Sequence, residues 1–345
     1  MRMTISRLLV LCRRAAIAAA VLLPALSAGP SRAADQGPMV MKITLPTLND
    51  GPHEFGKRFA AAVEKDSGGR IKAEVYPASQ LGSIPRQIEG TQFGAIQVAV
   101  IPPDFYVGID ERFEVMATPG LIETMQQGQR LSADPAVQKL MLGLGADKGL
   151  HGAAMFITAQ SAIIAREPIR HLADFKGKKI RVFASDFQKV PMERLGATPV
   201  AMSLGDVLPA LQQGAIDGAV AAVPVFANFH YQDVSKYVTV TNQPAIFIMV
   251  EFSRKWFDGL PQDLQKIVSD DATREAAAII PWSIDYDSKE NDVWTKAGGE
   301  LITFPPEEEA TYLSMLASVG ADVSKSKPAV RTAYELVTEA AKRDK

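Results

Sequence analysis

The sequence predicts a two-lobed α/β protein, and three observations carry that expectation. The chain has 345 residues, and about 310 remain once an N-terminal leader is removed, more than one hydrophobic core ordinarily serves. Its apolar positions switch repeatedly between helical and strand spacing, the alternation of an α/β architecture. A helix-to-strand junction, Thr91-Gln92-Phe93-Gly94-Ala95-Ile96-Gln97, is echoed by Leu211-Gln212-Gln213-Gly214-Ala215-Ile216-Asp217, which points to two similar units.

The N-terminus reads as an export signal. Arg2, Arg7, Arg13 and Arg14 lie before or at the start of an apolar run from Ala15 to Ala28, with no acidic residue before Asp35. Ser31-Arg32-Ala33 supplies small residues at the positions a signal peptidase reads, which places the cut after Ala33 and makes 1–33 the signal peptide. The run is short of the roughly 20 residues a spanning helix needs, and Pro24 interrupts it. Arg13-Arg14 leaves both the general and the twin-arginine export routes open. The one cysteine, Cys12, lies inside this leader, so the remaining chain is expected to hold no disulfide, thiolate nucleophile or cysteine metal site. Losing the five leader arginines takes 37 basic residues to 32 against 39 acidic ones. That acidic balance excludes nucleic acid as a natural partner and leaves any anionic ligand to be drawn in by a local cation.

Beyond the leader, Phe55, Phe59 and Val63 recur at helical spacing, Ser67-Gly68-Gly69 breaks the helix, and Ile71, Ala73 and Val75 alternate as a half-buried strand. A second helix starts near Ile84 and ends at Gly94, followed by a buried strand from Ala95 to Ile101. Ser203 and Asp206 form a capping pair for a helix running to Gln213, with Pro209 to be accommodated in it. Ala245 to Val250 reads as a strand returning to the first lobe. Pro261 opens a helix with Leu264, Ile267 and Val268 on one face, continuing past Pro281, where a kink is expected, to Trp294. The tail from Pro328 to Lys345 reads as a helix with a polar end.

Enzyme chemistry leaves no recognisable pattern. His53, His151, His171 and His230 are scattered without ligand spacing, and His53-Glu54 lacks the second histidine of a zinc helix. Gly143-Leu144-Gly145-Ala146-Asp147-Lys148-Gly149 has the wrong spacing for a phosphate loop and reads as a helix-ending loop. Glu307-Glu308-Glu309 beside Pro305-Pro306 reads as a solvated helix start. No nucleophile-elbow motif supports a serine triad.

Three segments carry a family likeness: Phe175-Lys176-Gly177-Lys178-Lys179-Ile180-Arg181-Val182, then Leu195-Gly196-Ala197-Thr198-Pro199-Val200, then the run from Ser203 to Gly218. Together they resemble the solute-binding proteins of TRAP transporters, the DctP type, over nearly all of the chain from Ile43. The resemblance implies a periplasmic binding protein of the class II-like clamshell kind, with a long helix spanning both lobes. On that frame lobe I comprises 34–158 plus 246–286, and lobe II comprises 159–245 plus 287–345. It also implies that the family's carboxylate-binding arginine falls at Arg181. An arginine at a strand end more commonly makes a structural salt bridge; here the likeness favours the planar fork of donors that grips a carboxylate.

Departures from the family pattern shape the expected ligand. Where many members carry a Gln-Glu-Asn-Pro segment, this chain has Ala219-Val220-Ala221-Ala222, so an asparagine contact is missing. Where sialic-acid binders place a second arginine, this chain has Gln160 and Ser161, and Arg166 nearby is read as exposed. Leu204 stands at the position that stacks on the solute, and Val220, Ala221, Val223 and Phe226 give an apolar wall, with core packing the competing role for Val223 and Phe226. From the first lobe, contacts are expected at Asn49 and Pro102-Pro103-Asp104; Asp104 in contact would demand an amine or hydroxyl. The expected ligand is a small organic acid with one carboxylate on an apolar body, bound by a monomer without metal or cofactor and delivered to TRAP membrane subunits. A sensor that presents the acid to a receptor, and a secreted α/β enzyme, are the rival readings.

Overall fold

The computed structural model describes residues 37–343, so the expected leader and its cut after Ala33 lie outside the described residues. The first part of the chain forms β1 (Met39–Thr44), α1 (Gly51–Asp66), β2 (Ile71–Tyr76), α2 (Ile84–Phe93), β3 (Val98–Ile101), α3 (Met125–Ala133) and α4 (Pro135–Met141). Next come β4 (Leu150–Ala165), β5 (Lys179–Val182), α5 (Asp186–Arg194), β6 (Thr198–Ala201), α6 (Leu204–Gln212), β7 (Gly218–Ala221) and α7 (Val223–Asn228). The remainder is β8 (Tyr237–Ser253), α8 (Arg254–Asp258), α9 (Gln262–Lys296), β9 (Glu300–Ile302), α10 (Pro306–Leu316), α11 (Val319–Ser324) and α12 (Pro328–Arg343).

The strands form one sheet in the order β2-β1-β3-β8-β4-β7-β5-β6, with β9 added beside β8. β1 pairs in parallel with both β2 and β3, and β5 pairs in parallel with both β6 and β7. Each half is therefore a βαβαβ unit whose first strand lies in the middle. The echoed sequence junctions occupy the same place in each: Gly94 and Gly214, both left-handed at φ 86° and 70°, end the second helix before the third strand. The two-lobed α/β architecture thus repeats one unit twice.

Two long antiparallel strands join the halves. β8 pairs with β3 through Met249–Phe252 and, at its other end, with β9 through Tyr237–Thr239. β4 runs beside β8 for nearly its whole length and pairs with β7 through Ala162–Ala165. Their register shifts between Gly152 and Ala154, between Ile157 and Ala159, and between Gln160 and Ala162. Such bulges add a residue on one strand and bend it locally. At the first of them Gly152 has to be glycine, because a Cβ there would sit 2.5 Å from the Leu142 backbone.

Local chemistry explains the helices that frame the cleft. Asp50 caps α1, its Oδ1 accepting from the His53 N–H at 3.2 Å, and Phe55, Phe59 and Val63 turn a fully buried face to the sheet. α6 begins at Ser203 without the expected capping bond: the Ser203 side chain accepts none, and only its carbonyl accepts from the Asp206 N–H at 3.1 Å. α9 runs uninterrupted for 35 residues through Pro281, roughly 50 Å at 1.5 Å per residue, and packs on α1, β4, α7 and β9, elements of both halves. Gly143 to Gly149 closes α4 and a short 3-10 turn over Ala146–Lys148, as a helix-ending loop should.

One polar cluster ties distant segments together. Lys327 ahead of α12 donates to Glu114 Oε1 at 2.9 Å and to Asp186 Oδ2 at 2.8 Å, while the Asp186 N–H donates to Glu114 Oε2 at 3.0 Å. In contrast, Glu251 on β8 is wholly buried between Ala99 and Gly152 with neither oxygen hydrogen-bonded. Burial pushes its carboxyl well above the usual range.

Candidate functional site

β5 places Arg181 between β6 and β7, and the side chain is 1 % exposed. Its Nε donates to the Met202 carbonyl at 3.0 Å and its Nη1 to the Val220 carbonyl at 2.8 Å. Phe183 lies with its ring centre 4.7 Å from the guanidinium carbon and Phe105 at 6.0 Å, so the cation is stacked as well as anchored. A guanidinium has five N–H donors; the two bonds leave Nη2 and the second hydrogen of Nη1 without a partner among the described residues. No carboxylate lies within ion-pair distance of it among the described residues. Burial pulls its pKa down to about 10, against the smaller opposing charges of Tyr231 and Asp104. A cation clamped in place, dehydrated and lacking a counter-ion is a site for an anion.

Arg181 lines a cleft whose walls come from both sheet halves. Phe105, Ile246, Ile248, Phe183, Leu204 and Val225 are among its apolar lining residues. The α1 N-terminus contributes Asp50 and Gly51, where a Cβ would lie 2.5 Å from Thr158 Oγ1 and 2.6 Å from Ser283 Oγ; only glycine lets the helix approach β4 and α9 this closely. Asp50 and Asp287 are the acids of this lining. Burial raises Asp50 to about 7 against hydrogen bonds from Thr47 and the His53 N–H, and burial followed by the charges of Asp50 and Glu290 raises Asp287 to about 8.

Of the residues singled out from sequence, the structure brings Arg181, Leu204 and Ala221 together in this cleft. Val220 does not reach it, because side chains alternate along β7 and Ala221 takes the cleft face; Val220 contributes instead its carbonyl to Arg181. Gln160 and Ser161 border an adjoining hollow with Met125, Val223 and Asn291, which shares Pro224 and Asp287 with the cleft. The bulges of β4 turn Thr158 and Ala159 into the cleft in their stead. Asn49 is turned away in a left-handed conformation, φ 53°, with its N–H donating to His53 Nδ1 at 3.0 Å, and its neighbour Asp50 points inward. Pro103 and Asp104 lie inside a 3-10 turn, Pro103–Tyr106, whose threefold repeat sends Pro102 and Phe105 to the cleft and buries the two between. Asp104 therefore sits behind the cleft wall, raised to about 7 by burial and then by Glu114, with Ser185 and Arg181 opposing. Val223 and Phe226 are core residues of α7, and Arg166 is exposed.

Sequence reasoning missed Asp50, Thr158, Phe105, Phe183 and Asp287. The Asp50-Gly51-Pro52 helix start was a readable signal for the first. Asp287, in the middle of a 35-residue helix, carried none.

Comparison with known proteins places this geometry. The family model of bacterial extracellular solute-binding protein, family 7, DctP, matches residues 47–326. The C4-dicarboxylate-binding periplasmic protein DctP of Rhodobacter capsulatus is 30% identical over 233 residues, covering 66% of this chain and 69% of that protein. A TRAP periplasmic solute-binding protein of Desulfovibrio salexigens, solved with bound orotic acid, superposes with a TM-score of 0.83 at 22% identity, over 89% of this chain and 99% of that one. Another from Shewanella oneidensis, solved with bound succinate, gives 0.82 at 22% identity over the same shares, 89% and 99%. These superpositions show the shared fold, and the family match spans the cleft from α1 to α11. The chain belongs to the bacterial extracellular solute-binding proteins of family 7.

Proposed function

We propose that this protein captures a small organic acid in the periplasm, with Arg181 gripping its carboxylate, and hands it to the membrane subunits of a TRAP transporter. The observation that carries this reading is the buried Arg181 guanidinium, fixed by two carbonyls and lining the cleft. Names of relatives as periplasmic and of structural neighbours as TRAP proteins supply the compartment and the partner. On this reading the chain exports through a leader ending near Ala33, works as a monomer, and performs no chemistry on its cargo. The lobes divide at 158/159, 245/246 and 286/287; the first two points sit beside the β4 and β8 register shifts, where the ladder bends.

Closure around the ligand follows from differential contact: a solute that touches both walls favours the closed form by what it gains there. The cleft also disfavours a second carboxylate, which would have to lie against Asp50 and Asp287. A thermal-shift screen of organic acids tests both points, since a ligand at a hundred times its dissociation constant stabilises the fold by about 2.7 kcal/mol. Mono-acids with apolar bodies should raise the melting temperature more than succinate or sialic acid. A largest shift from either of those two would overturn the ligand class.

A further inference from the structure

Two segments from different halves of the sheet meet along a seam. One follows β3, from Pro102 to Glu114, in the half built on β1, β2 and β3; the other follows β5, from Phe183 to Asp186, in the half built on β5, β6 and β7. Where the seam reaches the cleft, the rings of Phe105 and Phe183 stack, with 5.2 Å between centres and 26° between planes. Both rings also lie against the Arg181 guanidinium carbon, at 6.0 and 4.7 Å. The three groups form a closed triangle, and Phe105 alone among them belongs to the first half. Farther along, the Asp186 N–H donates to Glu114 Oε2 at 3.0 Å, and Lys327 bridges the two carboxylates.

The halves also touch at Asn228, whose Nδ2 donates to the Asn49 carbonyl at 3.2 Å. The same amide donates to the Pro224 carbonyl of its own helix at 2.8 Å and to Tyr286 Oη at 3.3 Å, so parting there leaves it satisfied and costs little. Phe105 has no such substitute. Lifting its ring from Phe183 returns two apolar faces to water and takes an aromatic face away from the cation. We infer that Phe105 is the latch of the closed form: its ring holds the first half against Phe183 and Arg181 of the second, and the cleft opens when that ring lifts. The inference rests on the reading that the halves close around a cargo and open to release it. It does not depend on which acid the cargo is.

Spin-label distance measurement on the ligand-free protein tests this directly. Expressed without the leader that holds Cys12, the chain has no cysteine, so labels attach only where Arg86→Cys and Asp206→Cys provide one. Both positions are exposed, and each lies two residues past a cleft-lining residue, Ile84 or Leu204, in the first turn of its helix, α2 or α6. Phe105→Leu should lower the ratio of short to long separations at least about threefold, and so should Phe183→Leu, which carries the test where the first variant folds poorly. The double substitution should lower it no further than the stronger single one, because both remove the same contact. Phe105→Tyr, which keeps the ring, and Asn228→Ala should each stay within about twofold of native. A ratio unmoved by either leucine variant, effects that add, a tyrosine variant as open as the leucine one, or a larger shift from Asn228→Ala overturns the inference. So does a single separation shared by every variant. Where acid binding depends on Arg181 and the separations do not move, only the latch falls. Where they move as expected and Arg181→Met binds acids as tightly as the native protein, only the anchor falls.

Discussion

Replacing Arg181 by methionine separates the two roles a buried cation can have. The substitution keeps an apolar stem of similar reach and removes the charge. In the empty protein, burial that lowers the pKa to about 10 corresponds to about 3 kcal/mol of unfavourable charge desolvation, which the variant recovers. Against this, the Met202 and Val220 carbonyls each lose a donor, at about 1 to 3 kcal/mol apiece. The two effects oppose each other, so urea unfolding of the ligand-free variant should stay within about 3 kcal/mol of the native protein. Binding should behave quite differently. A carboxylate held by two charge-assisted hydrogen bonds gains about 1.5 to 3 kcal/mol from each, so its loss should weaken affinity roughly 10²- to 10⁴-fold by titration calorimetry. A dissociation constant within threefold of native refutes the anchor. A ligand-free loss beyond about 4 kcal/mol would instead make Arg181 a structural residue.

Two further outcomes follow from buried polar groups outside the cleft. Lys327→Met strands Glu114, which is 2 % exposed, while Lys327 is itself 25 % exposed; the loss in chemical unfolding should fall near the lower end of the about 3 to 5 kcal/mol seen for broken buried pairs. Adding Glu114→Gln should restore more than half of it, and a single-variant loss below about 1 kcal/mol defeats the argument. Glu251→Gln should stabilise the protein increasingly with pH. The native carboxyl is raised by burial, so its contribution is complete below the unfolded-state value and drains away as pH climbs toward the folded-state one, at about 1.4 kcal/mol per pH unit. The melting-temperature difference, variant minus native, should therefore widen between pH 5 and pH 7; a constant difference rules the assignment out.

Much of the architecture was legible because short-range rules govern it. Gly94 and Gly214 mark equivalent helix ends, since each needs a left-handed residue before its strand, and Phe55, Phe59 and Val63 show the buried face of α1 directly. Of the candidate cleft, only the lining residues Arg181, Leu204 and Ala221 were legible, and there through family likeness joined to guanidinium chemistry. What escaped is what depends on one-residue geometry. A 3-10 turn chose Phe105 over Pro103, strand alternation chose Ala221 over Val220, and bulges in β4 chose Thr158 over Gln160. Asp287 entered from α9, whose approach to the cleft is set by packing across both halves of the sheet, a relation no local pattern encodes.

Both oxygens that hold Arg181 come from its own half of the sheet, Met202 just beyond β6 and Val220 on β7. If Arg181 is the proposed carboxylate anchor, it is held in place before any cargo arrives, and a passing acid meets a finished berth rather than one assembled around it. Arrival is then similar for many acids, and discrimination falls to what happens next: a molecule whose far end suits the opposite wall stays while the jaws shut, and one that does not is released. Selectivity of this kind is written in departure rates, not in encounter rates.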